Sequence, residues 1–486
     1  MRKTLLNILL ALSMTTLAQT VPQERMQQIY EASRTPYKYG MVIAPQSNYN
    51  KYDCPTIFRQ DDTWYMTFVC YDGKEGTDGR GYETWLAKSE DLLHWKSLGK
   101  ILQLPTNPTQ PTNPTKPTTP TPPLWDQNQR GGFPSLIDHN WSGTYEMQAY
   151  KNRHWLTYIG GPGTGYEAVN APLSIGIAST KEDISTPHQW ETKNKPLMSY
   201  NDKNAQWWEY LTQYKSTIYW IKNKEDRIKG QEKYPFVMFY NAGGKDDSHP
   251  KGERIGIALS KNLKKWKRYE GNPVFAHDSD GTITGDAQIV RMDDVWVMYY
   301  FSAYNPTRTY NAYNTFAASY DLVNWTDWNG EDLIIPSKPY DEMFAHKSYV
   351  VKHDGIVYHF YCAVNNAGQR GIALATSIPM GRSGVSFPAP EPSGKRLITS
   401  LNNQWNCQIL GDSIVQSVNI PHNFDDYYGY RQLRHGNLHG SAQYEKTFAT
   451  EKKTGKRYFL MLEGVGTYAT ITLNGHSFPK ELIGRT

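Results

Sequence analysis

Three acidic residues, one aromatic residue and one histidine stand at the heads of five apolar, strand-like runs. They are Asp53 in DCPTIF, Phe133 in FPSLID, Glu209 in EYLTQY, Asp286 in DAQIVR and His346 in HKSYVV. A carboxylate before a strand is ordinarily a turn former, because its oxygens accept from the backbone a residue or two further on. Recurrence at three such heads points to chemistry instead. Paired carboxyls facing one pocket suit glycosidic cleavage, in which a protonated one donates to the leaving oxygen and an ionised one activates water. A third carboxylate close by raises its neighbour's pKa by like-charge repulsion and keeps the acid protonated.

The elements that must bring these heads together are repeated along the sequence. A small or apolar strand, a Ser/Asp/Asn-rich turn and a tryptophan recur in TWLAKSEDLLHW from Thr84, IGIASTKEDISTPHQW from Ile175, IGIALSKNLKKW from Ile255 and TFAASYDLVNW from Thr315. A degenerate fifth copy, GIALATSIPMGRSGVSF, starts at Gly371. Upstream of each copy lies a hairpin pattern, with turn pairs such as Asp61-Asp62, Asp293-Asp294 and Asp354-Gly355 between aromatic-rich runs. Four strands repeated five times predict an all-β fold, a five-bladed β-propeller over residues 19–395. The innermost strand of each blade then begins near a common axis, so the five heads converge on one funnel. Loops between second and third strands should wall it, and Arg80, Tyr166, Trp208 and Arg308 are candidates for sugar recognition. Glu167, in the Gly-rich loop GGPGTGYEAVNA, is a rival carboxylate whose plain reading is a solvated loop residue.

This arrangement resembles glycoside hydrolase family 43 and its five-bladed relatives, over about residues 40–390. The resemblance implies that Asp53 is the general base and that His346 is the family's fifth-blade histidine. It also implies that Arg370, in QRGIALAT, grips sugar hydroxyls and orients the carboxylates. The acid and modulator types are exchanged relative to the family, with Glu209 on the third blade and Asp286 on the fourth. By position Asp286 would be the acid and Glu209 the modulator; by residue type the roles reverse. The implied activity is that of an inverting, exo-acting α-L-arabinofuranosidase or β-xylosidase working on oligosaccharide or polysaccharide side chains. A galactose-directed glycosidase and a non-catalytic carbohydrate-binding propeller are the alternatives. No cofactor is required, although the family allows a calcium ion near His346.

The remaining sequence bounds these readings. Among 486 residues are 35 Tyr, 15 Trp and 15 Phe, a content that suits β-strands and stacking on sugar rings. A net charge of +5 without a basic stripe makes no case for a nucleic-acid binder, and none is expected as a partner. Arg2 and Lys3, an apolar run from Leu5 to Leu12 and small residues near Ala18 predict a cleavable signal peptide over residues 1–18. No lipoprotein cysteine follows, so the expectation is a secreted or periplasmic protein without membrane insertion. Cys54, Cys70, Cys362 and Cys407 lack metal-type spacing and read as small core residues. The Pro/Thr tract over 105–123 reads as a solvated insertion. After the repeats the pattern changes: residues 396–486, with FLMLEGVGTYATITLNG, resemble the opening strands of the sugar-binding jelly-roll domain of glycoside hydrolase family 2.

Overall fold

Runs of alternating and wholly apolar residues, rich in Tyr, Val, Ile and Trp, give the described residues a regular structure made chiefly of antiparallel strands. A computed structural model describes residues 19–73, 80–105, 124–167, 170–187, 189–244, 248–389, 399–422, 441–450, 458–462, 464 and 469–477. The chain divides into two units, 1–398 and 399–486.

Among its described residues the first unit is all-β apart from one α-helix and short turns. After β1 (Tyr37–Ile43), five successive antiparallel sets follow in sequence order. The first comprises β2 (Asn50–Gln60), β3 (Thr63–Asp72), β4 (Tyr82–Ser89) and β5 (Lys96–Leu102). The second is β6 (Gln129–Pro134), β7 (His154–Gly161) and β8 (Ser174–Thr180). The third is β9 (Thr212–Trp220), β10 (Phe236–Gly244), β11 (Gly252–Ser260) and β12 (Trp266–Arg268). The fourth is β13 (Ile283–Met292), β14 (Val295–Ala303), β15 (Ala312–Ser319) and β16 (Thr326–Asp327). The fifth is β17 (Phe344–His353), β18 (Ile356–Val364) and β19 (Arg370–Thr376). Its outer place is filled by β1, which pairs with β19 from Tyr37↔Thr376 to Ile43↔Ile372, so the two ends of the unit share a sheet. Single parallel bridges, Arg370↔Lys51, Leu173↔Thr212 and Glu253↔Ile283, link a third strand to an inner strand of the following set.

The recurring sequence motif has a common physical cause. In SEDLLHW, SKNLKKW and SYDLVNW the serine hydroxyl accepts the N–H of the leucine three residues on, from Leu92, Leu263 and Leu322. Each of these leucines takes a positive φ, 65–69°, and packs into the core. The tryptophan indole then donates to that leucine's carbonyl at 3.0, 3.3 and 3.1 Å, for Trp95, Trp266 and Trp325. The hydroxyl thereby stabilises a backbone conformation that costs a branched residue about 1–2 kcal/mol. At the Asp61-Asp62 turn both residues have positive φ, as a two-residue hairpin with right-handed strand twist requires.

The sequence pattern predicts no helix, yet α1 (Gln23–Ser33) precedes β1. Met26 and Ile29 bury against Trp141, Val290 and Val297, and the Ser33 hydroxyl meets Tyr299 OH at 2.7 Å. Eleven residues are too few to be helical by propensity alone. The apolar contact holds them.

The four cysteines are buried and unbridged. The leader 1–18 and residues 106–123 of the Pro/Thr tract lie outside the described residues. In the second unit the described residues form a three-stranded sheet, β20 (Trp405–Ile409) between β21 (Val415–Val418) and β22 (Ala442–Glu445). A separate two-stranded piece is formed by β23 (Thr472–Leu473) and β24 (His476–Ser477).

Candidate active site

The inner strands share a local distortion that builds the site. In β2, β9, β13 and β17 two residues stand opposite one on the neighbouring strand. The two residues that face one are Cys54-Pro55, Tyr214-Lys215, Asp286-Ala287 and Lys347-Ser348. Cys54, Asp286 and Lys347 have φ of 51°, 56° and 53°, the left-handed region that a bulge can impose on a non-glycine residue. The second set lacks this feature, since Phe133 pairs in regular register with Thr157. A bulge re-aims side chains, so strand heads aligned on sequence alone are not equivalent in space. The equivalents of Asp53 are Gln213, Gly285 and His346; Asp286 occupies the place of Cys54.

These bulges and the starts of the third strands enclose a buried network of alternating charge. Asp53 is wholly buried. Its Oδ2 accepts from Lys347 Nζ at 2.6 Å and Arg370 Nη1 at 2.7 Å, and its Oδ1 accepts the Cys54 N–H at 2.9 Å. Burial opposes its charge, but Lys347 and Arg370 outweigh burial and hold the carboxyl well below the usual range. Arg370 Nη1 also donates to Glu167 Oε1, which lies 3.6 Å from Lys347 Nζ. Against burial, these two cations keep Glu167 ionised, with a pKa of about 2. Its side chain nonetheless remains 40% exposed, so this carboxylate can meet a substrate.

Glu253, at the start of β11, behaves oppositely. Burial pushes its carboxyl up to about 7; the bond from Asn241 Nδ2 to its Oε2, 2.9 Å, pulls it down and the nearby charge of Asp286 raises it again. The Asp286 N–H donates to Asn241 Oδ1 at 3.3 Å, so Asn241 ties the two acids together. Burial likewise raises Asp286, with Lys215 opposing. Lys215 Nζ lies 3.9 Å from Asp286 Oδ2 and 5.6 Å from the centre of the Phe133 ring. One carboxyl kept protonated near neutrality and one held ionised, both partly accessible, are what acid-assisted displacement at a glycosidic centre uses.

Several residues anticipated from sequence are placed elsewhere. Glu209 does not head an inner strand. It ends a short 3-10 turn, Trp207–Glu209, ahead of β9, and is wholly buried. Arg268 Nε bonds both its oxygens, at 3.0 and 2.7 Å, and Gln213, Tyr240 and the Gln206 N–H bond it further. Every lone pair is engaged, which leaves no oxygen to move a proton. Trp208 is buried against Tyr240. Arg308 is paired with Asp332 at 2.7 Å, and Arg80 donates to the Pro105 carbonyl. Phe133 is fully buried beneath Lys215.

His346 faces Phe301 and Phe344, its Nδ1 lies 3.3 Å from the Cys362 carbonyl, and burial drives its pKa down to about 3. With Asp53 and the Cys362 thiol it forms a close trio of donor atoms. Calcium takes hard oxygen ligands. This trio offers one carboxylate, already matched by two cations, and a soft thiol; it does not fit that ion.

Lys215, Lys347, Asn241 and Glu253 carry no signal in the sequence pattern. Aligned on the shared Gly-Ile-Ala-Leu, Gly371 falls on Gly256 and Arg370 on Ile255. In space the parallel bridges Arg370↔Lys51 and Glu253↔Ile283 make Glu253 the counterpart of Arg370. The third set is two residues longer at that end, and only strand pairing reveals it.

No family model and no curated protein matches this sequence. Among solved structures, one named "Glycoside hydrolase" is 64% identical, with a TM-score of 0.70, over 77% of the present sequence and 100% of its own. This protein belongs to the glycoside hydrolases. A second solved structure, named for a complex of BT0996 with RGII, matches the hydrolase at 65% identity with the same TM-score and coverage. At that identity the glycoside hydrolase shares its backbone course with both over the matched part of its sequence.

Proposed function

We propose that this protein is an exo-acting glycosidase that removes a terminal pentose, arabinofuranosyl or xylosyl, from an oligosaccharide side chain. We further propose that the five strand sets are blades of a propeller whose axis carries the site. The observation that carries the reading is the contrast between Glu253 and Glu167. Glu253, protonated up to about pH 7, gives its proton to the leaving oxygen. Glu167, ionised and accessible, takes the carboxylate role on the other side of the sugar. Asp53 anchors Arg370 and Lys347, which in turn orient Glu167, and Asp286 favours the protonated form of Glu253. This reading gives Asp53 a positioning task, because a carboxylate accepting from two cations and a backbone N–H is a weak base. The relative named for its complex with RGII supports an oligosaccharide as substrate.

The test is a panel of 4-nitrophenyl furanosides and pyranosides together with an RGII-derived oligosaccharide. Cleavage of one terminal pentose is expected, and Glu167→Gln should lower kcat by about 10²-fold or more. Hydrolysis at internal linkages, or full activity in Glu167→Gln, would overturn the assignment. The first anomer released, followed by NMR, separates inversion from retention.

A further inference from the structure

Tyr214 stands beside the acid. It belongs to the bulge of β9, where it and Lys215 face Asn241, the residue that holds Glu253. Thr212, Gly243 and Glu253 form one row across β9, β10 and β11. Gly243 leaves the middle of that row open, since a Cβ there would stand 2.8 Å from Glu253 Cγ and 3.5 Å from Tyr214 Cε2. The tyrosine ring and the acid therefore border the same gap. Tyr214 is half-buried and, together with Tyr166, packs on a buried apolar cluster that includes Cys54, Tyr82 and Phe133. Tyr166 directly precedes Glu167 in the chain, and the Arg370 guanidinium lies 5.9 Å from the centre of its ring. One aromatic surface thus reaches from the ionised carboxylate to the acid. Burial raises the pKa of the Tyr214 phenol, and Glu253 and Glu167 raise it further, with the Thr212 hydroxyl and Lys347 opposing. The hydroxyl keeps its proton and can donate.

We propose that Tyr214 binds the terminal sugar, its hydroxyl donating to one hydroxyl of the ring held between Glu253 and Glu167. This inference rests on the glycosidase reading above and deepens it by naming a residue that selects the sugar. The acid and the carboxylate flank the bond that breaks, so the terminal sugar occupies the space the two share. Tyr214 borders that space at the Glu253 end, and its phenol also lies within the field of Glu167. The bulge is what brings it there, because the extra residue in β9 turns a side chain out of the regular alternation and toward the network. A sugar lacking the matching hydroxyl would leave the phenol without its partner, and such a loss discriminates between substrates more sharply than apolar contact does.

The proposal is tested with Tyr214→Phe, which removes the hydroxyl and keeps the ring, on a 4-nitrophenyl glycoside of the cleaved pentose and on its monodeoxy analogues. On the parent glycoside kcat/KM is expected to fall about 3- to 10-fold, the worth of one neutral hydrogen bond. One deoxy analogue should lose a similar factor with the wild type and nothing further with Tyr214→Phe, because the missing group no longer has a partner to lose. The alkaline limb near pH 7 should stay in place, since Glu253 owes its proton to burial and to Asp286. Equal deoxy losses in the two enzymes, an unchanged kcat/KM on the parent, or a shift of the alkaline limb that accounts for the whole loss would overturn the assignment. Were the wild type to release no pentose from any glycoside, the glycosidase reading itself would fail, a result distinct from wild-type activity that Tyr214→Phe leaves intact.

Discussion

Replacing Glu253 by Gln separates catalysis from stability in one experiment. Holding this carboxyl at about 7 rather than 4.5 corresponds to about 3 kcal/mol in favour of the protonated form. The folded protein binds that proton more tightly than the unfolded state does. Folding therefore loses stability as pH rises from about 4.5 to about 7, and the loss levels off above that. Glutamine is neutral, nearly isosteric, and still accepts from Asn241. Glu253→Gln should leave stability unchanged at pH 4 and raise it at pH 8 by up to about 3 kcal/mol, a ceiling because the side chain has some solvent access. Catalysis should move the other way. Loss of general acid assistance lowers kcat on the natural oligosaccharide by about 10²–10⁴-fold, with much less effect on a dinitrophenyl glycoside whose leaving group needs no proton. Urea unfolding at the two pH values and a pH–rate profile on both substrates provide the readouts. An unaltered alkaline limb near pH 7, or equal losses on both leaving groups, would refute the assignment of the acid.

Other consequences follow from neighbouring contacts. Asp286→Asn removes a like charge from beside Glu253, so the alkaline limb of kcat/KM should shift to lower pH; an upward shift contradicts the coupling. Asp53→Asn leaves Lys347 and Arg370 buried without their shared carboxylate and should destabilise the protein by about 3–5 kcal/mol, measured by denaturant unfolding. Because Asp53 titrates below its ordinary range when folded, its stabilisation holds above about pH 4 and fades on acidification, a dependence the variant should lack. Arg268→Ala should cost about 3–5 kcal/mol by stranding Glu209, with kcat/KM of the folded enzyme unchanged. Selective loss of activity there would restore Glu209 to a catalytic role. Incubation with a chelator is expected to leave hydrolysis rates unchanged.

Local chemistry was legible in the sequence itself. The Ser-x-x-Leu-x-x-Trp spacing encodes a capped turn whose bonds span three residues, and Asp-Asp or Asp-Gly pairs encode hairpins, so the all-β class and many of the strands could be read without coordinates. Asp53 and Arg370 also stood out, Arg370 opening β19 and Asp53 lying near the start of β2. What sequence could not convey is which way those starts point. One extra residue in each of β2, β9, β13 and β17 shifts the facing residues by one and sets Lys347 beside His346 and Lys215 in the bulge of β9, whereas Glu209 lies in the turn ahead of that strand. The two-residue extension of β11 hid Glu253, since its equivalence to Arg370 exists only in cross-strand bridges. Protonation belongs to the tertiary structure for the same reason. A glutamate at about 7 and another at about 2 differ through burial and through cations contributed from residues up to about two hundred positions away, such as Arg370 on Glu167. Side-chain type is local, whereas the field that decides whether a carboxyl carries a proton is assembled only when distant strands meet.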